Sequence, residues 1–541
     1  MLIPNSSDVV IAGGGLAGLT LALQLRQRMP ELAITVIERR RHPVPHAAHK
    51  VGESSVEIGA HYFEHVLGLK AHLDNAQLKK FGFRFFFSDG HVDLSRVTEL
   101  GASRVLPTPS YQLDRGIFEN ELARLAQQRG IVFVDGAVIR SFDLSEGSAD
   151  HQVRFDVGGN VQTIAARWFC DASGRAGLVK RKLDLAELNA HNANAVWFRI
   201  SDRIDVNDWS DNELWLDRCV PRSRWLSTNH LVGEGYWAWL IPLASGSHSV
   251  GIVADAELHP LDTMNTFDKA MQWLQTRQPQ LFAALDARRG KLQDFAFFKR
   301  FSYGCKRVFS GADRWAVTGE AGLFLDPFYS PGSDFIAISN TYITELIATD
   351  RAGGPTALKA DFYEQIYFSL YRNMLTLYTD QYRIFGDPEV LPVKVLWDYA
   401  FYWGVMCQLF FQNKLIDVSC MARMQGKLVN IQAINVQMQL FLRAWNRVSA
   451  KRNLPQMLDQ ASLPWFAQLN RELRDELSDA QFAARIDAQL LQLQALASEI
   501  VVAAVRDYPS LDASAVTALL DPQALAVAQR QGLQYLFGVA A

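Results

Sequence analysis

The chain has 541 residues, nearly half of them apolar and 21% charged, with a net charge of -3. That length supports one large or two interlocked domains around a substantial core, and the balance is that of an ordinary soluble globular protein. The near-neutral charge gives no hint of nucleic-acid binding. The five cysteines (Cys170, Cys219, Cys305, Cys407 and Cys420) form no C-x-x-C or histidine spacing, which argues against a metal site or disulfide framework and suits a reducing cytoplasm.

Met1-Leu-Ile-Pro-Asn-Ser-Ser runs straight into an apolar segment with no basic-then-apolar leader. Asp8 to Ala12 reads as a buried parallel strand and Leu16 to Arg28 as a helix. Ala33 to Ile37 is a second strand, ending at Glu38. With the glycine turn Gly13-Gly-Gly15-Leu-Ala17-Gly18 these pieces make a complete βαβ nucleotide-binding unit. Gly13 permits the tight bend, Gly15 lets the backbone approach a pyrophosphate, and Gly18 allows close helix–strand packing. The helix N-terminus offers N–H groups and partial positive charge to the phosphates. Glu38 is placed to accept from a ribose, with Ala17 and Arg39 beside these contacts.

Residues 55–73 read as helical, and Phe81 to Phe87 and Val92 to Leu94 as sheet. Arg115 to Arg129 reads as a helix with acids early and bases late. Further strands are expected at Ile131 to Val134, Ala137 to Phe142, Gln152 to Val157 and Val161 to Phe169. Residues 193–255 are strand-rich, and from about 335 the pattern turns helical. Val393 to Phe411 is the most membrane-like window, but Lys394, Asp398, Gly404 and Gln408 interrupt it, so it is expected as a buried helix and no membrane span is expected. Phe482 to Val505 has amphipathic helical spacing. The expected fold class is α/β: a Rossmann-type FAD-binding module over 1–345, a β-sheet substrate domain inserted at roughly 193–300, and a mainly helical C-terminal region over 346–541.

Two later segments favour FAD over NAD. Phe169-Cys-Asp171-Ala-Ser-Gly174 follows a strand and resembles the D-A-S-G segment of FAD-dependent hydroxylases and halogenases. Trp315-Ala-Val-Thr-Gly319-Glu320-Ala-Gly322 resembles their second flavin motif, with Glu320 where an aspartate is usual. Gln112 and Arg115 stand where that superfamily places a flavin-contacting helix.

Trp237-Ala-Trp239-Leu-Ile241-Pro242 matches the W-x-W-x-I-P signature of flavin-dependent halogenases. Val51-Gly52-Glu53-Ser54 is similar to their loop near the flavin ring. Phe324-Leu-Asp-Pro327-Phe-Tyr329-Ser330-Pro331-Gly332 matches their F-x-x-P-x-x-S-x-G pattern, and Lys79-Lys80 precedes Phe81-Gly-Phe-Arg-Phe as a catalytic lysine does in the family. The chain therefore resembles the flavin-dependent halogenases over roughly residues 8–345.

The resemblance implies FAD used as FADH2 from a separate flavin reductase, a chloride or bromide ion, and hypohalous acid delivered to a lysine. An ammonium can donate to the oxygen of hypohalous acid and polarise the O–X bond. Lys80 is assigned that role, with Lys79 and Lys50 as competitors. Lys50 and Glu53 join the expected flavin loop, as do Pro327 and Gly332. Trp237 and Trp239, on one face of a strand, are implied to separate flavin from substrate.

Two positions depart from the pattern. Tryptophan halogenases carry a glutamate where this chain has Tyr329, which points to a self-activating phenol-like substrate, free or carrier-bound. The family holds halide on N–H groups just after the loop serine, Ser330 here, but the next residue is Pro331, which has none. Gly332 and Ser333 are left as donors. A flavin monooxygenase that hydroxylates or epoxidises an apolar substrate is the competing enzyme reading, and a catalytically silent binding protein is the third.

Overall fold

A computed structural model describes residues 3–46, 52–147 and 149–531. The chain forms two compact units, one of Met1–Leu78, Leu113–Ala190 and Ser302–Arg372, the other of Lys79–Gln112, His191–Phe301 and Asn373–Ala541.

The first unit is a Rossmann-type layer. Its sheet runs in the order Phe309–Ser310, Trp315–Val317, Asn160–Asp171, Ser6–Ala12, Ile34–Ile37 and Val132–Val134. The five strands from Trp315–Val317 to Val132–Val134 are parallel, and the central ones are buried runs of Val, Ile and Ala, as a sheet covered on both faces requires. The expected helix from Leu16 to Arg28 forms over those residues. Helix Gly332–Arg351 packs against it. There the Asn340 amide donates to the Ala17 carbonyl at 3.1 Å and to Thr20 Oγ1 at 3.0 Å. The expected helix over 55–73 is broken into Glu57–His61, a π turn at Tyr62–Val66 and Lys70–Ala76.

The second unit is built on an eight-stranded sheet in the order Leu292–Phe298, Ala193–Ile200, His248–Asp255, Tyr236–Pro242, Thr228–Gly233, Phe83–Phe86, Glu99–Gly101 and Met457–Asp459. Strand alternation divides its side chains. One face sends Val196, Phe198, Leu231, Ala238, Leu240, Val250 and Ile252 into a core capped by the helices Phe267–Arg277 and Pro279–Asp286. The other face presents Phe83, Phe85, His230, Trp237 and Trp239.

Val92 to Leu94, expected as sheet, is instead the approach to a 3₁₀ turn at Leu94–Arg96. The Asp93 carboxylate accepts from Ser95 N, a local bond that competes with strand pairing. The strand that does form, Glu99–Gly101, carries the buried Glu99 between the guanidinium groups of Arg84 and Arg224.

The apolar window at 393–411 is helical and almost wholly buried, with a π turn at Tyr402–Cys407. Helix Asp479–Asp507 is long and apolar enough to cross a membrane, and 56% of its apolar window is buried inside the structure.

Candidate functional site

In the first unit the glycine turn is closed to any other residue at the positions that matter. Gly13 has φ +112°, and a Cβ there would be driven into the Ala172 carbonyl. A Cβ on Gly18 would strike the Gly13 carbonyl. Gly15 precedes a helix whose N-terminus has neither a side-chain cap nor an acid in its first turn, so its N–H groups are available to an anion. Glu38 is held in place by two backbone donors, Gly14 N at 2.6 Å and Arg40 N at 2.7 Å. A carboxylate accepts more than two hydrogen bonds, so it retains capacity for a ribose hydroxyl. Arg39 is exposed.

Asp171, fully buried, holds the following turn together. Its carboxylate accepts from Ser173 N at 3.0 Å and Val179 N at 2.7 Å. Burial raises its pKa and these N–H groups act against that rise. Gly319, at φ +60°, lies against Ala17, where an added Cβ would come within 3.0 Å of the alanine methyl. Glu320 pairs with Arg175 at 3.1 Å. The Arg175 guanidinium stacks near both Tyr303 and Phe324. The D-A-S-G segment, the Gly319-Glu320 turn and the head of the F-x-x-P loop are thus joined.

Arg115 links the Val-Gly-Glu-Ser loop to the helix Arg115–Gln128. It reaches the Gly52 carbonyl at 3.4 Å and pairs with Glu119 at 2.6 Å. Glu53 is buried, and its carbonyl accepts from Leu113 N at 2.7 Å. These features fit FAD: a turn with no room for side chains, an uncapped helix N-terminus and an anchored acid. Lys50 lies outside the described residues. Gln112 belongs to the second unit, fully buried, its amide donating to Thr228 Oγ1 at 2.9 Å.

Just before the helix that follows it, the loop at 324–332 has a left-handed residue, Ser330 at φ +54°. Ser330 N bonds the Pro327 carbonyl at 2.9 Å, and Tyr329 packs its ring against Phe328. Pro331 begins the helix Gly332–Arg351, and its carbonyl accepts from Asp334 N and Phe335 N, each at 3.1 Å. The first helical N–H groups, Gly332 and Ser333, precede those bonded donors, and the space beside Gly332 is open. The Ser333 hydroxyl is buried without an acceptor among the described residues.

In the second unit Lys80 is 4% exposed, whereas Lys79 is exposed. The Lys80 ammonium lies 3.5 Å from the centroid of the Phe83 ring, a cation–π contact strengthened by desolvation. The neighbours are aromatic. His230 is 5.4 Å from Phe83 and stacked on Phe85 at 4.8 Å, and Trp237 meets it edge-on at 5.0 Å. Tyr399 lies 6.3 Å from Phe83 and 4.5 Å from Trp403.

Trp237 and Trp239 lie 5.6 Å apart, ring to ring, both buried. Trp237 donates to Tyr382 Oη at 3.2 Å and Trp239 to Ser249 Oγ at 3.1 Å. Gly251, directly across from Trp239, leaves the room its indole fills. His230, Tyr399 and Trp403 were not expected from sequence. His230 stands opposite Trp239 and Phe85 in register, a relationship that only strand pairing reveals.

A family model described as an FAD binding domain matches residues 6–279. The chain is 26% identical over 436 residues to flavin-dependent halogenase chlA of Dictyostelium discoideum, covering 75% of this chain and 70% of that protein. It is 26% identical over 349 residues to a 1H-pyrrole-2-carbonyl-(peptidyl-carrier protein) chlorinase of Pseudomonas fluorescens, covering 60% and 72% of the two chains. The solved structure of halogenase PltM aligns with a TM-score of 0.64 at 16% identity, over 91% of this chain and 97% of that one. Flavin-dependent brominase Bmp2 aligns with a TM-score of 0.55 at 21% identity, over 70% and 89%.

Proposed function

Because this chain belongs to the FAD-binding domain family, and within it to the flavin-dependent halogenases, we propose that it places chlorine or bromine on an electron-rich, phenol-like aromatic ring. The observation that carries this reading is the buried ammonium of Lys80 against Phe83, within a wall of aromatic side chains. Taking an ammonium out of water costs free energy, and the aromatic face returns only part of it. An ammonium so placed suits a site that receives a polarisable oxidant beside an aromatic ring.

Gly13, Gly15, Ala17, Gly18, Glu38, Arg39, Glu53, Arg115, Asp171, Gly319, Glu320, Pro327 and Gly332 are the residues we assign to holding FAD. Its chemistry when bound, after reduction by a separate flavin reductase, is the activation of dioxygen that oxidises halide to hypohalous acid. Gly332 and Ser333, at the start of their helix, supply the N–H donors for halide. Lys80 holds hypohalous acid by donating to its oxygen, which polarises the O–X bond toward the substrate ring. Trp237 and Trp239 pack the sheet face beside His230 and limit the water that can reach the lysine.

Tyr329, in place of a carboxylate, favours a substrate whose own oxygen activates the ring. Two similar proteins are named for a pyrrole carbonyl on a peptidyl carrier protein, and we extend the proposal to a carrier-borne substrate. The test supplies the purified protein with FAD, a flavin reductase, NADH, chloride or bromide, and a panel of phenols, free and carrier-loaded. Mass spectrometry is expected to find halogenated product. Oxygen insertion that does not depend on halide, the outcome Pro331 leaves open, would overturn the reading in favour of a monooxygenase.

A further inference from the structure

Electrophilic halogenation of a ring releases a proton, and the loop that would carry a carboxylate base carries Tyr329 instead. The wall around Lys80 holds another group able to take that proton. His230 is fully buried in the strand Thr228–Gly233, flat against Phe85 and edge-on to Trp237. It contacts the same Phe83 ring that the Lys80 ammonium approaches from 3.5 Å. An imidazole and an ammonium thus share one phenyl ring, and both side chains are buried.

We propose that His230 accepts the ring proton lost in halogenation and returns it to Lys80, an inference that rests on the reading of Lys80 given above. The steps balance. The Lys80 ammonium gives a proton to the oxygen of hypohalous acid as the O–X bond breaks. A pair of ring π electrons forms the new C–X bond, and water leaves. The C–H electron pair then returns to the ring as a His230 nitrogen takes the proton. The resulting imidazolium passes that proton to the neutral Lys80 amine. The sum is an aromatic C–H and hypohalous acid giving C–X and water, with both side chains restored.

The direction of the last transfer follows from the setting. Burial, and after it the Lys80 cation, hold His230 well below the usual histidine range; once Lys80 is a neutral amine, burial remains as the larger cause, and the imidazolium gives up its proton to the more basic amine. The same effect keeps the imidazole neutral, and therefore able to accept, at neutral pH.

The experiment compares a phenol deuterated at its reactive ring positions with the protiated phenol, using the holoenzyme, its His230→Gln variant and its His230→Ala variant with and without added imidazole. In the parent, halogenation should show no primary isotope effect, because proton loss is fast. In His230→Gln the rate should fall about 100-fold, the scale of a lost general base, and a primary isotope effect should appear. Imidazole should restore part of the rate to His230→Ala. FAD binding and NADH-driven oxygen consumption report that each variant is folded. A His230→Gln enzyme that halogenates at the parent's rate, or slows with no isotope effect, overturns the inference. Lys80→Ala is assayed in parallel. If it halogenates as fast as the parent, the lysine reading falls and this one with it. An inert Lys80→Ala beside an unimpaired His230→Gln overturns the histidine assignment alone.

Discussion

The ammonium of Lys80 sits 3.5 Å from the centre of the Phe83 ring and is 4% exposed, while Lys79, next in the chain, faces solvent. Lys79 ends the short strand Leu78–Lys79 and Lys80 is the first residue beyond it, and successive side chains of an extended segment point to opposite sides. The two lysines, equivalent by composition, therefore have different chemistry open to them. Lys80→Met keeps the apolar stem and removes the charge. It should lower halogenation at least about 100-fold while leaving FAD binding and oxygen consumption near the parent's values. Lys79→Ala should halogenate as the parent does. Product quantification by mass spectrometry checks both, and a slow Lys79→Ala beside an active Lys80→Met would reverse the assignment.

The turn at Gly13 is sensitive for a separate reason. Its φ of +112° is strained for any side chain, and the Ala172 carbonyl occupies the volume a Cβ needs. Gly13→Ala should therefore move the strand Ser6–Ala12 relative to the D-A-S-G segment, a strain of about 1–3 kcal/mol. Flavin titration should show FAD affinity reduced at least about 10-fold, which corresponds to 1.4 kcal/mol. An alanine variant that binds FAD as tightly as the parent would mean the turn does not form the cradle.

Much of the first unit was legible because its signals are local. A glycine at a left-handed turn, an apolar run and a 3.6-residue period fixed the helix Leu16–Arg28 and the flanking strands from short windows. The features that were not legible depend on partners far away in sequence. The strand Glu99–Gly101 exists because Glu99 is neutralised by Arg84 and Arg224 and because Met457–Asp459 pairs alongside it. No window around residue 99 contains that information. Around Lys80 the motif pointed to the lysine, but His230 and Tyr399 come from a strand and a helix about 150 and 320 positions away.

Arg115 and Glu119 provide a test of the flavin loop. The carboxylate is wholly buried and the guanidinium nearly so, at 2.6 Å, and the same arginine reaches the Gly52 carbonyl. Arg115→Met strips the buried Glu119 of this cation, a change of about 3 kcal/mol, and frees the Gly52 loop. The expected result is a lower melting temperature together with weaker FAD binding. Adding Glu119→Gln should recover most of the melting temperature and little of the FAD affinity, because the link to Gly52 stays broken. Recovery of both would make Arg115 a purely structural residue.

His248 sets a pH dependence of folding. Its ring is fully buried, and Nδ1 accepts from Ile204 N at 3.2 Å, which requires the neutral form. Burial, then the charges of Arg203 and Arg288, lower its pKa to about 3. The unfolded chain binds a proton below about pH 6.5 that the folded chain refuses. Stability is therefore lost as pH falls from about 6.5 towards 3, by up to about 1.4 kcal/mol per unit from this group. His248→Gln should flatten the fall in melting temperature between pH 7 and pH 5, whatever its effect at pH 7. An unchanged slope would assign the acid sensitivity to other groups.

The halide site proposed above lies at the start of the helix Gly332–Arg351. Its first turn is preceded by Ser330 in a left-handed conformation and by Pro331, whose missing N–H removes one donor at the position where the helix field is strongest. Pro331 has φ -75° and ψ -4°, values any residue adopts, so Pro331→Ser restores the donor without refolding the loop. One added hydrogen bond to an anion is worth about 1 kcal/mol net, so the KM for bromide should fall about 3- to 10-fold with kcat little changed. Ser333→Ala probes the buried hydroxyl that lacks an acceptor among the described residues. It leaves the backbone donors intact, and a rise in the bromide KM would make the hydroxyl a further donor. Both variants are read by initial rates across a bromide series at saturating phenol. Should Pro331→Ser change kcat and leave the bromide KM untouched, halide is bound elsewhere, and this helix start serves only to terminate the loop.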